Sequence, residues 1–273
     1  MPFQVICVME DLRGILQKLL KKELSLEQAE RCLKTDFIEK VGNFANLDLH
    51  RAARTGIPEI IFAETKSLPV MLEITKKFIE KSNYALVTRV TNEQMVALEK
   101  SFKYAPDLLF KSDINSRIAV IQKRTFQIPR TGGLVGIITA GSSDIPIAEE
   151  ANVVCEYMGC TTLTAYDVGV AGIHRIFEPL KDMIEKHVDS IIVCAGMEGT
   201  LPGIVASLVD VVVIGVPTSS GYGHGGRGEG ALTTMLQSCV PGLVVVNIDN
   251  GVGAGASASI IANKMATLRV AGK

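Results

Sequence analysis

What most constrains this chain is a unit that repeats through its second half: a short apolar run, a turn of glycine and polar residues, then a helical stretch. The runs fall at 134–140, 161–165, 190–195, 211–216 and 243–248. Helices are expected to about Met158, over 175–187, to about Cys239, and from about Gly253 onward. Apolar strands alternating with helices build a parallel sheet covered on both faces. Such sheets bind ligands beyond the carboxyl ends of their strands. Those ends carry the segments 141–144, 167–175, 196–199, 218–230 and 249–255, which hold nearly every unusual residue of this half.

Composition divides the chain at one place. Of 25 glycines, 22 follow Arg130, and the 21 basic and 16 acidic residues up to that point give way to 7 and 13 after it. Thr131-Gly132-Gly133 is therefore the expected boundary between a domain at 1–130 and one at 131–273. The first half reads as a smaller α/β unit. Ser25 with Gln28 and Thr91 with Gln94 have the capping-box form, starting helices over 26–33 and 92–102. Val70, Ile74 and Phe78 mark an amphipathic helix, and 59–63 and 85–90 are short strand-like runs.

At 47% hydrophobic and 21% charged residues, the chain is neither disordered nor fibrous. A net charge of −1 gives it no electrostatic claim on nucleic acid or an anionic membrane. The apolar stretch 190–217 raises the question of a membrane span. Glu198, Pro202, Asp210 and its glycines favour buried strands with a short helix instead. Residues 1–9 are too short for a secretory core. Six cysteines (7, 32, 155, 160, 194 and 239) without a C-x-x-C pair read as reduced thiols. A cytoplasmic protein is expected.

Several constellations carry chemistry. Gly141-Ser142-Ser143-Asp144 places small residues and a carboxylate at a helix start, suited to a phosphate or to an ordinary cap. Asp167 and the pair His174-Arg175 follow the second strand, a cation and an imidazole that suit an anionic ligand or a structural role. Cys194 ends an apolar strand, where a cysteine is first a packing residue. Gly196 and Glu198 follow it, the carboxylate being a candidate base or metal ligand. The loop 218–230 contains Ser219, Ser220, His224, Arg227 and six glycines, and reads as a lid that closes over an anion. Cys239 stands at an expected helix C-terminus, the wrong end of the dipole for a reactive thiol. Asn247, Asp249 and Asn250 form a polar cluster suited to ribose or ring hydrogen bonds.

Taken together, Gly141-Ser-Ser-Asp144 with Pro146, His174-Arg175, Leu201-Pro202-Gly203, Val213-Ile-Gly-Val-Pro217, Gln237 with Pro241-Gly242, and Gly251-x-Gly-Ala-Gly255 resemble the aminoimidazole ribonucleotide carboxylase/mutase (PurE) family. Glu198-Gly199-Thr200 and Ser238-Cys239 depart from that family, whose members carry an alanine-histidine pair and Met-Pro at these places. The departures, with Leu47-Asp48, Arg51-x-x-Arg54 and Pro58-Glu59, resemble the LarB family of nickel-pincer nucleotide cofactor synthesis. That resemblance implies a three-layer, flavodoxin- or Rossmann-like C-terminal domain and a homo-oligomer, octameric in the fold relatives. It implies that nicotinic acid adenine dinucleotide, CO2 or bicarbonate, and water give pyridinium-3,5-biscarboxylate mononucleotide and AMP. Cys239 would be the nucleophile, and His174 or Glu198 the base. Asp144 and Arg175 would hold the nucleotide, and Mg2+ would assist the phosphoanhydride step, with Glu198 as a metal ligand. A purine carboxylase/mutase and a non-catalytic nucleotide-binding regulator are the alternatives.

Overall fold

The computed structural model describes residues 12–29, 39–41, 45–48 and 51–271. Met1–Met9, Cys7 and Cys32 lie outside them. The chain divides into two compact units, the second running from Gln127.

In the first unit, α1 (Leu12–Leu20), the pair β1 (Glu39–Val41) and β2 (Ala45–Leu47), and the short α2 (Arg51–Thr55) precede a four-stranded sheet. Its strands are β3 (Ile60–Phe62), β4 (Tyr84–Thr88), β5 (Leu108–Asp113) and β6 (Ile118–Lys123), in the order β3-β4-β6-β5. β3 and β4 are parallel, so the chain crosses over between them through α3 (Leu68–Lys81). The β5–β6 hairpin adds antiparallel pairs and was not anticipated from sequence. α3 and α4 (Asn92–Phe102) bury Met71, Ile74, Phe78, Met95 and Leu98 against Ile61, Ala85, Val87 and Ile121. The expected capping box at α4 is formed in both directions: Gln94 N–H donates to Thr91 Oγ1 at 3.2 Å, and Thr91 N–H to Gln94 Oε1 at 3.0 Å. Ser25 and Gln28 make the same reciprocal bonds; the helix expected behind them passes beyond the described residues.

The second unit is the parallel α/β sandwich expected from the repeat. Its strands are β7 (Leu134–Thr139), β8 (Thr161–Ala165), β9 (Ser190–Ala195), β10 (Val212–Pro217) and β11 (Leu243–Val245). All pair in parallel, in the order β11-β10-β9-β7-β8. Read from the other edge this is the flavodoxin order. Composition sorts the strands: central β9 is buried at every residue, whereas threonine-rich β8 and short β11 take the edges. On one face α5 (Ile145–Tyr157) and α9 (Gly251–Ala271) cover Val135, Ile137, Ile192 and Ile214. On the other, α6 (His174–Glu185), α7 (Leu201–Ala206) and α8 (Glu229–Leu236) cover Ile138, Ile191, Val193 and Val213.

α5 and α9 touch almost backbone to backbone. A Cβ at Gly255 would stand 2.6 Å from the Ala151 carbonyl, so only glycine permits this approach. The stretch 190–217 folds as β9, α7 and β10, and no helix among the described residues is long and apolar enough to cross a membrane.

Candidate active site

The strand order reverses direction between β7 and β9, and a doubly wound sheet opens a crevice at that point. There the loops after β7, β9 and β10 meet on one buried carboxylate. Asp144 is 2% exposed. Its Oδ2 accepts Gly141 N–H at 2.9 Å, and its Oδ1 accepts the hydroxyls of Thr218 at 2.5 Å and Ser220 at 2.7 Å. Gly196 passes over these hydroxyls so closely that a Cβ would lie 2.3 Å from Ser220 Oγ and 2.9 Å from Thr218 Oγ1.

This geometry changes the reading of Gly141–Asp144. The N–H groups of Gly141, Asp144 and Ile145 are spent inside the turn, on Asp144 Oδ2, Gly141 O and Ser142 O, and Pro146 has none. The phosphate cradle is therefore poorer in donors than the sequence suggests. Ser142 and Ser143 stay exposed at its rim.

Two further clusters flank the crevice. Asp167 accepts Arg175 Nη1 at 3.0 Å, and its own N–H is held by Thr139 Oγ1 at 3.0 Å. Beyond β10 and β11, Ser219 N–H donates to Asp249 Oδ1 at 2.8 Å. Asn250 Oδ1 caps α9 through Gly253 N–H at 2.8 Å, and Asn247 Oδ1 accepts Ile248 N–H at 2.9 Å. Asp167, Met197, Arg227 and Asp249 all have positive φ, one in each loop after β8, β9, β10 and β11. Left-handed non-glycine residues cost energy and gather where a backbone is held for function.

The thiols separate cleanly. Cys194 is wholly buried, and desolvation, then the charges of Asp144, Glu150 and Asp249, raises its pKa well above the ordinary thiol range. Burial of this kind disfavours the thiolate, which is the nucleophilic form. Cys155 and Cys160 are buried as well, and burial pushes Cys155 up to about 12. Cys239 is exposed. α8 stops at Leu236 rather than running to Cys239, so the thiol lies past the last turn, where the helix dipole has largely decayed.

Cys239 lines a cleft of about 590 Å3 beside α7 and α8, together with Gly199, Thr200, Gly203, Ser207, Thr234 and Ser238. Gly199 and Thr200 directly follow Glu198, which is exposed in the turn after β9. The structure thus brings the Cys239 and Glu198 segments to one cleft. Glu198 itself does not line it, nor does His174, exposed at the start of α6, and neither do Asp144 and Ser220. Among the described residues no three His, Cys, Asp or Glu side chains are grouped to hold a metal ion, so Glu198 belongs to no such group. The 218–230 loop is tied down at Gly221 and Gly230, both tight against Met197, and its exposed side chains include Ser219, Ser220, Tyr222, His224 and Arg227.

Sequence reasoning missed Thr218, which is 1% exposed. It also missed the pair Tyr166–Glu149, where the phenol donates to the carboxylate and Asn152 donates to its other oxygen at 3.1 Å. Burial raises the Tyr166 pKa strongly, so it acts as a neutral donor. Position gives a signal for Thr218: it is the first polar residue past the end of a central parallel strand.

Comparison with known proteins agrees with the architecture. Residues 38–123 match the LarB/PurE-like N-terminal domain, and residues 134–271 match AIR carboxylase. An uncharacterized protein of Methanocaldococcus jannaschii is 42% identical over 256 residues, 94% of this chain and 98% of that one. N5-carboxyaminoimidazole ribonucleotide mutases are similar over part of the chain. That of Pyrococcus horikoshii is 36% identical over 123 residues, 43% of this chain and 65% of its own. That of Thermotoga maritima is 33% identical over 134 residues, 46% and 73%. With an N-terminal LarB/PurE-like domain joined to an AIR carboxylase domain, the chain belongs to the LarB family of PurE-like carboxylases.

Proposed function

We propose that this chain carboxylates nicotinic acid adenine dinucleotide with CO2 and hydrolyses its phosphoanhydride, giving pyridinium-3,5-biscarboxylate mononucleotide and AMP. The observation that carries this reading is Cys239: an exposed thiol in a cleft that reaches the Glu198 turn, while the other described cysteines are buried.

The chemistry needs such a thiol. A pyridinium ring is electron-poor and does not attack CO2. Addition of the Cys239 thiolate to a ring carbon beside or opposite the nitrogen forms a C–S bond and leaves an enamine-like dihydropyridine. Ring carbon 5 then bonds to CO2, a base removes the proton from that carbon, and expulsion of the thiolate restores the aromatic ring. The net change is one C–H exchanged for one carboxylate, with a proton released. Glu198 is the base in this reading, since its neighbours Gly199 and Thr200 line the cleft. The cationic ring favours the thiolate by Coulomb attraction. Asp144, Ser220, Arg175 and Asp249 serve the nucleotide from the carboxyl ends of the strands. Glu198 would be the candidate protein ligand for a Mg2+ ion shared with the substrate diphosphate, where the ion would supply charge stabilisation for phosphoanhydride cleavage.

The chain works as a homo-oligomer in this reading, of the octameric kind implied by the fold relatives. Cys239 precedes the amino end of β11, whose Leu243 pairs with Val213, whereas Thr218 lies five residues further along β10. That is about 17 Å at 3.3 Å per residue, a separation that a second copy would bridge.

Mass spectrometry of products after incubation with nicotinic acid adenine dinucleotide, bicarbonate and Mg2+ tests the reading. A pyridinium dicarboxylate mononucleotide with AMP supports it, and loss of both carboxylation and a covalent adduct in Cys239→Ser supports the thiol. Conversion of carboxyaminoimidazole ribonucleotide instead would return the chain to the purine mutases. Nucleotide binding without turnover would leave a regulator.

A further inference from the structure

The Asp144 cluster holds more contacts than protons. Thr218 Oγ1 and Ser220 Oγ each lie within hydrogen-bond distance of Asp144 Oδ1, at 2.5 and 2.7 Å, and they lie 2.9 Å from each other. Each hydroxyl has one proton to give. With Asp144 ionised, three oxygen–oxygen contacts share two protons, and one contact must do without.

Burial decides which hydroxyl is fixed. Thr218 is 1% exposed and Asp144 2%, so Thr218 has no solvent to turn toward. Its branched side chain is also stiff about χ1. Ser220 is exposed, unbranched, and sits at the base of the glycine-rich loop facing the crevice. Gly196 closes the other side of the cluster. Only the Ser220 hydroxyl can turn outward without leaving a buried donor unpaired, which would carry the full desolvation penalty.

We propose that Thr218 is a positioning residue for the substrate: it holds the Asp144 carboxylate in place, so that the Ser220 hydroxyl is released from Asp144 to an oxygen atom of the incoming nucleotide. The inference rests on the nucleotide reading above for the identity of that ligand, but not for the geometry of the cluster. When Ser220 turns, its contact with Thr218 opens and Asp144 keeps two donors, Thr218 O–H and Gly141 N–H. The loop after β7 thus stays fixed while the loop after β10 engages the ligand.

Three variants of the full chain test this: Ser220→Ala, Thr218→Val and Thr218→Ser. With nicotinic acid adenine dinucleotide as substrate, Ser220→Ala should raise KM about tenfold, the equivalent of one hydrogen bond, with kcat within a factor of about two. Thr218→Val keeps the shape and removes the hydroxyl; it should lower kcat as well as raise KM, and Thr218→Ser should recover most of both. Wild-type kinetics in Thr218→Val would overturn the proposal. So would a Thr218→Ser variant as impaired as Thr218→Val, because the methyl group and not the hydroxyl would then be what matters. Crystal structures of the Thr218→Val and Ser220→Ala chains give a reading without turnover. Asp144 should swing away in the first and stay in the second, and an unmoved Asp144 in Thr218→Val would refute the positioning role. If the wild-type chain does not convert the dinucleotide, the functional reading fails, while these structures still decide the role of Thr218.

Discussion

Alkylation of the native chain should single out Cys239 among the described cysteines, and the margin follows from burial. A thiol pushed up to about 12, as Cys155 is, has roughly one thiolate in ten thousand at pH 8. The direction follows from desolvation: burial penalises the charged form, so an acid titrates later. Ionisation alone therefore slows Cys155 by about four orders of magnitude relative to a fully ionised thiol, before access is counted. Cys194 is shifted in the same direction by burial and has no surface at all. Cys160 is raised by burial too, although Ser259 and Thr131 hydrogen bonds oppose the shift.

The assay is iodoacetamide labelling at pH 8 with peptide mapping by mass, stopped at intervals and repeated in denaturant. Cys239 should label in the native chain, and Cys155, Cys160 and Cys194 only when it unfolds. Raising the pH to 10 increases the Cys155 thiolate about a hundredfold, yet only to about one in a hundred, so the order should persist. On the proposed reading, nicotinic acid adenine dinucleotide should slow labelling of Cys239. Native-state labelling of Cys155 or Cys194 at a rate comparable to Cys239 would refute the burial argument. Labelling of Cys239 that no substrate slows would separate the thiol from the nucleotide site.

Other perturbations have defined outcomes. Gly255→Val should force α5 and α9 apart and cost about 1–3 kcal/mol, read as a lowered midpoint in denaturant with an unchanged slope. Arg269→Ala should cost about 1 kcal/mol, since Arg269 is 45% exposed, and Asp189→Ala more, because buried Asp189 also accepts Leu134 N–H at 2.8 Å; thermal unfolding of both variants ranks them. Gly196→Ala should abolish activity while leaving far-ultraviolet circular dichroism unchanged, because its Cβ would collide with Ser220 and Thr218 and not with the sheet. Thr91→Ala should destabilise the first unit by about 1 kcal/mol, measured by hydrogen exchange in α4.

The second unit was legible because its sequence repeats one physical demand. A parallel strand buried on both faces must be apolar throughout, as Ser190–Ala195 is, and the turn that leaves it must be polar and compact. Strand position within the sheet could be read less well, since only the threonines of β8 mark it as an edge. The β5–β6 hairpin stayed hidden: its strands carry mixed charge, and the turn between them, Ile114–Arg117, contains no glycine, so neither alternation nor a two-residue turn signal announces it.

The site was legible by loop but not by partner, and the reason is the range of the interactions. Which residues stand past the carboxyl end of a strand is a local property, so Asp144, Gly196, Ser220 and Asp249 could be found from their own segments. Which hydroxyl meets which carboxylate is set across 74 residues of chain for Thr218 and Asp144, and depends on strand order rather than on any motif. The order β8-β7-β9-β10-β11 puts the loops of β7 and β9 side by side with that of β10 next to them, and only then does a buried threonine become the donor that a buried aspartate requires. Cys239 illustrates the same point from the opposite side. Its segment, at the close of a helix, argued against a reactive thiol; the two residues between the helix end and Cys239 and the cleft it lines remove that argument. In the proposed reaction Cys239 need not be activated by its own backbone, because the pyridinium ring would bring the positive charge.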